Sequence, residues 1–208
     1  MRMGVILAAC LAFAACTVGG GEGYFHGCLY FPECDSDLYG TPVSGCAAGG
    51  ENYTLTPGFF AAEALDDDTL VIRIQSSGNY MSETEGIVFL IPDYQNVSMA
   101  LDGGGSVSAV IPPQATLETL PPSERYEASY FFNDTCSGST ASFTSGIGML
   151  QLYELYRPGS SNETIRGDFD ITFQDTRVYE VDETPPTLRL IGNFTFDYAR
   201  GAPAQHFP

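Results

Sequence analysis

The clearest signal in the chain is a series of hydrophobic patterns with a period of two. In residues 70–75 (LVIRIQ) apolar side chains recur at every second position, which is typical of a half-buried strand. Residues 86–91 (GIVFLI) are apolar throughout and end at Pro92, so they predict a central strand buried on both faces. Residues 97–101 and 107–111 flank a DGGG turn and predict a β-hairpin.

A second group of strands is indicated by aromatic residues. In residues 126–132 the side chains at every second position share one largely aromatic face. Residues 166–173 (RGDFDITF) and 191–198 (IGNFTFDY) share the motif Gly-x-Phe-x-apolar, and residues 148–152 (GMLQL) are a looser copy. This repeat predicts adjacent antiparallel strands with aromatic side chains inward and short polar side chains outward. Each glycine then marks a bulge or a close backbone approach.

Together these patterns predict an all-β fold. A helix is indicated only at residues 57–65, where Thr56 provides an N-cap and Pro57 fits the first turn. We expect an antiparallel β-sandwich or barrel of about eight to ten strands over residues 59–208. The preceding residues 24–58 are rich in Gly, Pro and Cys and lack periodicity, so they predict a short Cys-rich, loop-rich segment held by disulfides.

The first residues have the composition of an export signal. One positive charge in MRM precedes an apolar run at residues 5–13, and two alanines then lead to Cys16. This order of features predicts a signal peptide over residues 1–15. No stretch reaches the ~20 apolar residues that a membrane-spanning helix needs, so we expect no transmembrane domain.

Two small residues followed directly by cysteine resemble the lipobox of bacterial lipoproteins, in which the cysteine is acylated and becomes the mature N-terminus. Two registers compete. The one ending at Cys10 has the preferred Leu7 but leaves an apolar run of about five residues, which is too short. The one ending at Cys16 has the required length but carries Phe13 in place of leucine. We therefore favour Cys16 as the lipidation site, and the alternative is ordinary secretion with cleavage after Ala14 or Ala15.

The lipobox resemblance implies a protein held on a membrane by its N-terminal lipid, since more than one acyl chain makes attachment stable. The Gly-rich residues that follow Cys16 predict a flexible tether over residues 16–23. Thr17 stands where an aspartate would mark inner-membrane retention, so the resemblance implies the outer membrane or cell surface. The C-terminal repeats and the ending at residues 200–208 also resemble uncharacterised lipoproteins of myxobacterial type, a likeness that brings no known activity.

The remaining cysteines predict disulfides in an oxidising compartment. Cys28, Cys34, Cys46 and Cys136 can form two disulfides in three connectivities, and the sequence does not separate these. The alternative is a metal site that includes His26, but the cysteine spacing matches no zinc template, so we expect no metal and no cofactor.

Several asparagines begin an N-x-[ST] sequence, and they are Asn52, Asn96, Asn133, Asn162 and Asn193. A eukaryotic secreted glycoprotein would explain them. The alternative is that Asn before Ser or Thr is common in turns and at strand edges. The lipobox and the absence of lysine favour the bacterial interpretation.

The net charge and the titratable side chains limit the functions that we expect of this chain. The formal net charge of −18 predicts a surface that repels phosphate backbones and anionic lipid headgroups, so we expect no binding to nucleic acid. His26 and His206 lie in no catalytic motif, so nucleophilic catalysis is not supported. The acids at residues 66–68 and at Asp168 and Asp170 are calcium candidates or simply solvated side chains. The adhesion tripeptide at residues 166–168 opens a predicted strand and is interpreted as coincidence.

These observations leave two classes of function. The first is a membrane-anchored, non-enzymatic lipoprotein whose β-domain binds an envelope protein or an extracellular ligand through loops at one end of the sheet. The alternative is a secreted or anchored enzyme that acts on glycans through paired carboxylates. Tyrosines, abundant in a chain without tryptophan, could serve as a platform on which a sugar stacks.

Overall fold

The computed structural model describes residues 20–30, 46, 51–65, 68–77, 85–132, 141–159, 163–175 and 187–198. Within these residues the chain forms ten strands, which confirms the predicted all-β fold. The strands are β1 (Gly21–Tyr30), β2 (Glu51–Leu55), β3 (Phe59–Ala64), β4 (Thr69–Gln75), β5 (Gly86–Pro92), β6 (Val107–Ile111), β7 (Glu127–Phe132), β8 (Ala141–Glu154), β9 (Thr164–Asp175) and β10 (Thr187–Asp197). The helices are α1 (Tyr94–Leu101), α2 (Gln114–Leu117) and a 3₁₀ turn (Pro122–Glu124).

All strand pairs are antiparallel, in the order β2-β1-β10-β9-β8-β7-β5-β4-β3. The long strand β8 pairs with β9 along one side, and on its other side it pairs first with β7 and then with β6. The strands fold into two layers around one core, as contacts between rings show. Phe89 of β5 lies 5.4 Å from Phe169 of β9 and 5.8 Å from Phe194 of β10, measured between ring centroids. This arrangement is the predicted sandwich.

The Gly-x-Phe repeats pack against each other across β9 and β10. Gly167 pairs with Phe194 and Gly192 pairs with Phe169, so each phenylalanine lies beside the glycine of the neighbouring strand. A Cβ atom on Gly167 would lie 2.9 Å from Phe194 Cζ, and one on Gly192 would lie 2.7 Å from Phe169 Cζ. The glycines therefore provide the space that the rings occupy. At Gly167 a Cβ atom would also lie 2.8 Å from the backbone oxygen of Gln151, which is the close backbone approach predicted from sequence.

Most predicted strands are confirmed. Residues 70–75 form most of β4, and β5 has Ile87, Phe89 and Ile91 fully buried, although its other face is only partly buried. Residues 107–111 form β6, and residues 127–132 form β7. The three repeat segments lie in β8, β9 and β10, which are adjacent and antiparallel with their phenylalanines buried and their acids outward.

Two local predictions are wrong. Residues 57–65 form no helix, because residues 59–64 pair with β4 as strand β3 and bury both Phe59 and Phe60. Residues 97–101 form no strand, because they belong to α1, whose buried side chains recur with helical spacing. The predicted hairpin is therefore absent, and the DGGG segment instead connects α1 to β6.

The N-terminal segment is more regular than predicted. Residues 21–23, expected to be flexible tether, begin β1, and residues 24–30 and 51–55 are strands rather than loops. Each of these strands is paired, β1 with β10 and β2 with β1. The glycines of β1 explain the wrong prediction. A Gly-rich stretch is typical of a flexible tether, but in the sheet these glycines pair with β10.

Cys28 and Cys46 form a disulfide, one of the pairs that the sequence allowed. Cys16, Cys34 and Cys136 lie outside the described residues. We expect non-reducing peptide mapping by mass spectrometry to recover a cross-linked peptide that contains Cys28 and Cys46. A peptide that joins Cys28 to any other cysteine would contradict this pairing.

Two tyrosines connect the layers of the sandwich. The hydroxyl of Tyr53 on β2 donates a hydrogen bond to Glu85 Oε2 and is hydrogen-bonded to the hydroxyl of Tyr130 on β7. Tyr130 is fully buried, and the two rings meet edge to face with centroids 6.0 Å apart. Burial raises the pKa of both tyrosines well above the ordinary value. The edge strand β2 is thus tied to the opposite layer through polar groups.

Candidate functional site

The outward side chains of β1, β10, β9, β8 and β6 form one continuous surface, which we call the outer face. The register of the sheet aligns five polar or aromatic side chains of this face in one row across the strands. We call this row the polar rung, and it consists of Tyr24, Asn193, Asp168, Gln151 and Ser108. Four strand spacings give it a length of about 19 Å.

Tyr153 projects beside the polar rung because of a β-bulge. Leu152 pairs with Gly167 and Glu154 pairs with Arg166, which leaves Tyr153 as the additional residue of β8. Bulges commonly redirect a side chain in this way. The Tyr153 hydroxyl donates a hydrogen bond of 2.7 Å to Asp168 Oδ2, and the guanidinium carbon of Arg166 lies 5.3 Å from the centre of its ring. The ring is therefore held on two sides.

Two open depressions meet at Tyr153 and Arg166, which line both of them. The first has a volume of about 310 Å³ and lies over β1, β10 and β9; its other side chains include Glu22, Asp168, Asn193 and Thr195. The second, of about 330 Å³, lies beside the DGGG segment and Glu154. The Tyr153 ring thus lies between the two depressions and lines both of them.

Most charged groups around these depressions are paired with each other. Arg166 Nε lies 3.2 Å from Glu154 Oε1, and an Nη atom of Arg157 lies 2.7 Å from Asp102 Oδ2. The hydrogen bond to Asp168 raises the pKa of Tyr153, so that the phenol stays protonated and remains a donor. Among the described residues, the amide of Asn193 makes no hydrogen bond, so it can bind a ligand.

A more apolar row borders the polar rung on the side away from Arg166. The register places five residues in this row, and they are His26, Ile191, Asp170, Met149 and Val110. Met149 is 51% exposed and Val110 is 61% exposed. His26 stacks on Tyr24, with ring centroids 5.5 Å apart. Polar groups and apolar surface therefore run side by side across the outer face.

Two of the acids singled out in the sequence, Asp168 and Asp170, are bonded to other side chains in the described part of the chain. Asp168 and Asp170 both point outward from β9, but Asp168 accepts a hydrogen bond from Tyr153 and Asp170 accepts two from Arg189. The hydrogen bonds from Arg189 lower the pKa of Asp170. The described residues contain no group of three or more His, Cys, Asp or Glu side chains placed to hold a metal ion.

The other sequence candidates that the structure describes lie on different strands and helices. Residues 166–168 lie within β9, which begins two residues earlier at Thr164, and Asp168 of this tripeptide is hydrogen-bonded to Tyr153. Asn52, Asn96 and Asn193 are exposed, whereas Asn133 and Asn162 lie outside the described residues, as do His206 and residues 66–67. Sequence reasoning missed Tyr153, Asn193 and Gln151 as site residues, because only the register and the bulge bring them together.

Thr195 lies in the first depression and carries an unusual hydroxyl. Its Oγ1 atom is buried and makes no hydrogen bond within the described part of the chain. Burial of an unpaired hydroxyl is unfavourable, whereas a methyl group of the same size has no such penalty. We expect Thr195→Val to raise the free energy of unfolding by about 1 kcal/mol in urea titrations. The exposed Thr172→Val is the control, and an equal gain there would contradict the explanation.

The helices described in the structure are too short to cross a membrane. Comparison of the chain with protein-family models, with curated proteins and with solved structures yields no match.

Proposed function

We propose that this chain is an exported bacterial lipoprotein, anchored to the outer membrane or cell surface through Cys16, whose non-enzymatic β-domain binds an envelope protein or an extracellular ligand. The export signal and the small residues before Cys16 support the anchor. The binding role rests on the outer face, and the net charge of −18 argues against nucleic acid as the ligand.

One observation carries the binding role: Tyr153 projects from a bulge and is held on two sides beside an open depression. A side chain that is fixed before the ligand arrives loses little conformational entropy on binding, so the interaction retains more of its free energy. Tyrosine also combines a large apolar ring with a polar hydroxyl, which makes it effective in binding surfaces.

The state of the charged groups favours binding over catalysis. General acid–base chemistry needs a group that can release or accept a proton at the reacting atom. Here the carboxylates of Asp168, Glu154 and Asp102 each accept a hydrogen bond or ion pair from a neighbouring side chain. The depressions are also open rather than enclosed, whereas charge stabilisation is strongest where water is excluded.

A glycan-acting enzyme is the second candidate, and one feature favours it. Glu22 and Asp168 line the same depression as the Tyr153 ring, which is a pair of carboxylates beside an aromatic side chain. If this candidate is correct, the native chain will release reducing ends from a polysaccharide, and Glu22→Gln and Asp168→Asn will abolish the release. Turnover that survives both substitutions would exclude this pair as the catalytic residues.

The anchor is tested by mass spectrometry of the mature N-terminus. We expect a peptide that begins at Cys16 and carries the mass of attached acyl chains. A mature chain that starts unmodified at Ala15, Cys16 or beyond would overturn the lipoprotein proposal and support simple secretion.

The binding role is tested by photo-cross-linking in intact envelopes. A photoreactive residue placed at Gln151 lies on the outer face, whereas one at the exposed Glu124 lies in the 3₁₀ turn and serves as the matched control. We expect cross-linked species from position 151 and none from position 124. Equal yields from the two positions would count against the outer face as the binding surface.

A further inference from the structure

The arrangement of the outer face restricts the chemistry of its ligand. We infer that this face binds an extended, uncharged glycan that lies along the polar rung, across the strands of the sheet. This inference rests on the proposed binding function and gives the ligand a chemical class. It is carried by the alignment of hydrogen-bonding side chains in one row, with aromatic rings at Tyr24 and beside Asp168.

The polar rung has the hydrogen-bonding groups that sugar hydroxyls require. Each sugar hydroxyl both donates and accepts, so it pairs well with amides, hydroxyls and carboxylates. Asn193 supplies an amide and Ser108 supplies a hydroxyl. Gln151 supplies an amide oxygen, while its Nε2 donates a hydrogen bond of 3.0 Å to Ser106 Oγ. Asp168 is an acceptor whose position is maintained by Tyr153. These groups lie on neighbouring strands at one level of the sheet, so a linear chain of sugars can meet them in succession.

The apolar parts of a sugar are also accommodated. The C–H groups of a pyranose ring form an apolar face that stacks on aromatic rings. Tyr24 is 47% exposed at one end of the rung, and the ring of Tyr153 stands beside Asp168. The exposed Met149 lies in the row next to the rung and adds apolar surface. The outer face therefore offers both apolar surface and hydrogen-bonding groups to a sugar chain.

Length and charge define the ligand further. The rung spans about 19 Å, which is long enough for several sugar rings and longer than a monosaccharide needs. The guanidinium of Arg166 is already paired with Glu154 and that of Arg189 with Asp170, and the whole chain carries a net charge of −18. An acidic glycan would therefore be repelled and would find its cationic partner occupied. An uncharged glycan is not repelled by the acidic protein and needs no cationic partner.

The test is isothermal titration calorimetry of the exported chain with neutral hexasaccharides. The probes are cellohexaose, maltohexaose, xylohexaose and hexa-N-acetylchitohexaose, with oligogalacturonate as the acidic comparison. We expect at least one neutral probe to bind and oligogalacturonate not to bind. Tyr24→Ala and Asn193→Ala should each weaken the binding by about tenfold. The matched controls Asn52→Ala and Thr172→Ala, at exposed strand positions away from the rung, should leave it unchanged.

The outcomes separate the ligand class from the binding function. If no neutral probe binds, or if binding survives Tyr24→Ala and Asn193→Ala, the glycan inference is overturned. Cross-linking of an envelope protein through position 151 without sugar binding would overturn the inference and leave the binding function intact. Neutral glycan bound and then cleaved, with cleavage lost in Glu22→Gln, would support the ligand class and overturn the non-enzymatic function.

Discussion

Replacing Gly192 with alanine is expected to lower the free energy of unfolding by about 2–3 kcal/mol, because the core has no room for one more methyl group. A Cβ atom at this position would lie 2.5 Å from Phe25 Cδ1 and 2.7 Å from Phe169 Cζ. Both phenylalanines are buried, and their rings already meet edge to face with centroids 5.1 Å apart. Neither ring can move without displacing its neighbours, since interiors are close-packed.

The measurement is urea unfolding of the native chain and of Gly192→Ala. Gly105→Ala is the matched control, because apart from its chain neighbours no residue lies within 4 Å of the position that its Cβ would take, and we expect a change within about 0.5 kcal/mol. Phe169→Leu shortens one of the obstructing side chains. The double variant should therefore be more stable than the sum of the two single changes predicts, by about 1 kcal/mol.

Additive losses in that double-mutant cycle would contradict the explanation, since they would mean that Gly192 and Phe169 do not compete for the same space. A loss in Gly192→Ala no larger than in Gly105→Ala would show that the sheet relaxes around the added methyl group. The prediction is therefore specific to the packing of the Gly-x-Phe repeat and not to glycine in general.

The repeat was also the part of the fold that sequence predicted best. Its alternation places Phe169 and Phe194 inward and Asp168 and Asn193 outward, and a period of two has no other simple interpretation. Because all three copies follow the same pattern, neighbouring strands with matched faces were the natural expectation. The pairing of each glycine with a phenylalanine of the next strand is not predictable from sequence. It depends on the register between β9 and β10, which the sequences of the two strands do not determine.

The error at α1 was avoidable. Tyr94, Val97, Ser98 and Leu101 are the buried residues of this helix, and their spacing follows a helical period. The segment from Val97 to Leu101 is by itself too short to show a helical period, because the first buried residue, Tyr94, lies three positions before it. The DGGG segment favours a hairpin turn in sequence. In the structure it follows the end of α1, where Gly104 has a positive φ of 79°, a conformation that is also common just after a helix.

The error at β3 had a different cause. Thr56 and Pro57 are good helix-start residues, and the alanines after Phe60 favour a helix. Pairing with β4 and burial of Phe59 and Phe60 outweigh those local preferences, which contribute only a few tenths of a kcal/mol per residue. Such tertiary effects are not visible in a short window of sequence.

The outer face could be predicted only in part. Alternation indicated that Asp168 and Asn193 point outward, so their exposure followed from sequence. Their alignment with Tyr24 required the order of the strands, which places β1 beside β10 although they are far apart in the chain. The position of Tyr153 required the bulge in β8, an irregularity that breaks the period on which the prediction rests.

Alkaline pH is expected to unfold the protein through Tyr53 and Tyr130. Burial raises the pKa of both phenols far above the value of 10.0 that an exposed tyrosine has, and the carboxylate of Glu85 beside Tyr53 opposes a second negative charge. The folded chain therefore keeps both protons at a pH where the unfolded chain releases them. Their contribution to stability is fully present below pH 10 and is lost progressively as the pH rises above it.

Each phenol whose proton is retained only in the folded state lowers the free energy of unfolding by about 1.4 kcal/mol per pH unit, so the pair gives roughly 2.7 kcal/mol per unit above pH 10. Urea unfolding between pH 8 and pH 11.5 measures this slope. In Tyr53→Phe/Tyr130→Phe we expect lower stability at neutral pH, because the hydrogen bond from Tyr53 to Glu85 is lost, but a much flatter decline in alkali. Tyr24→Phe removes an exposed phenol and should keep the native slope. An equally steep decline in the double variant would place the alkaline transition elsewhere in the molecule.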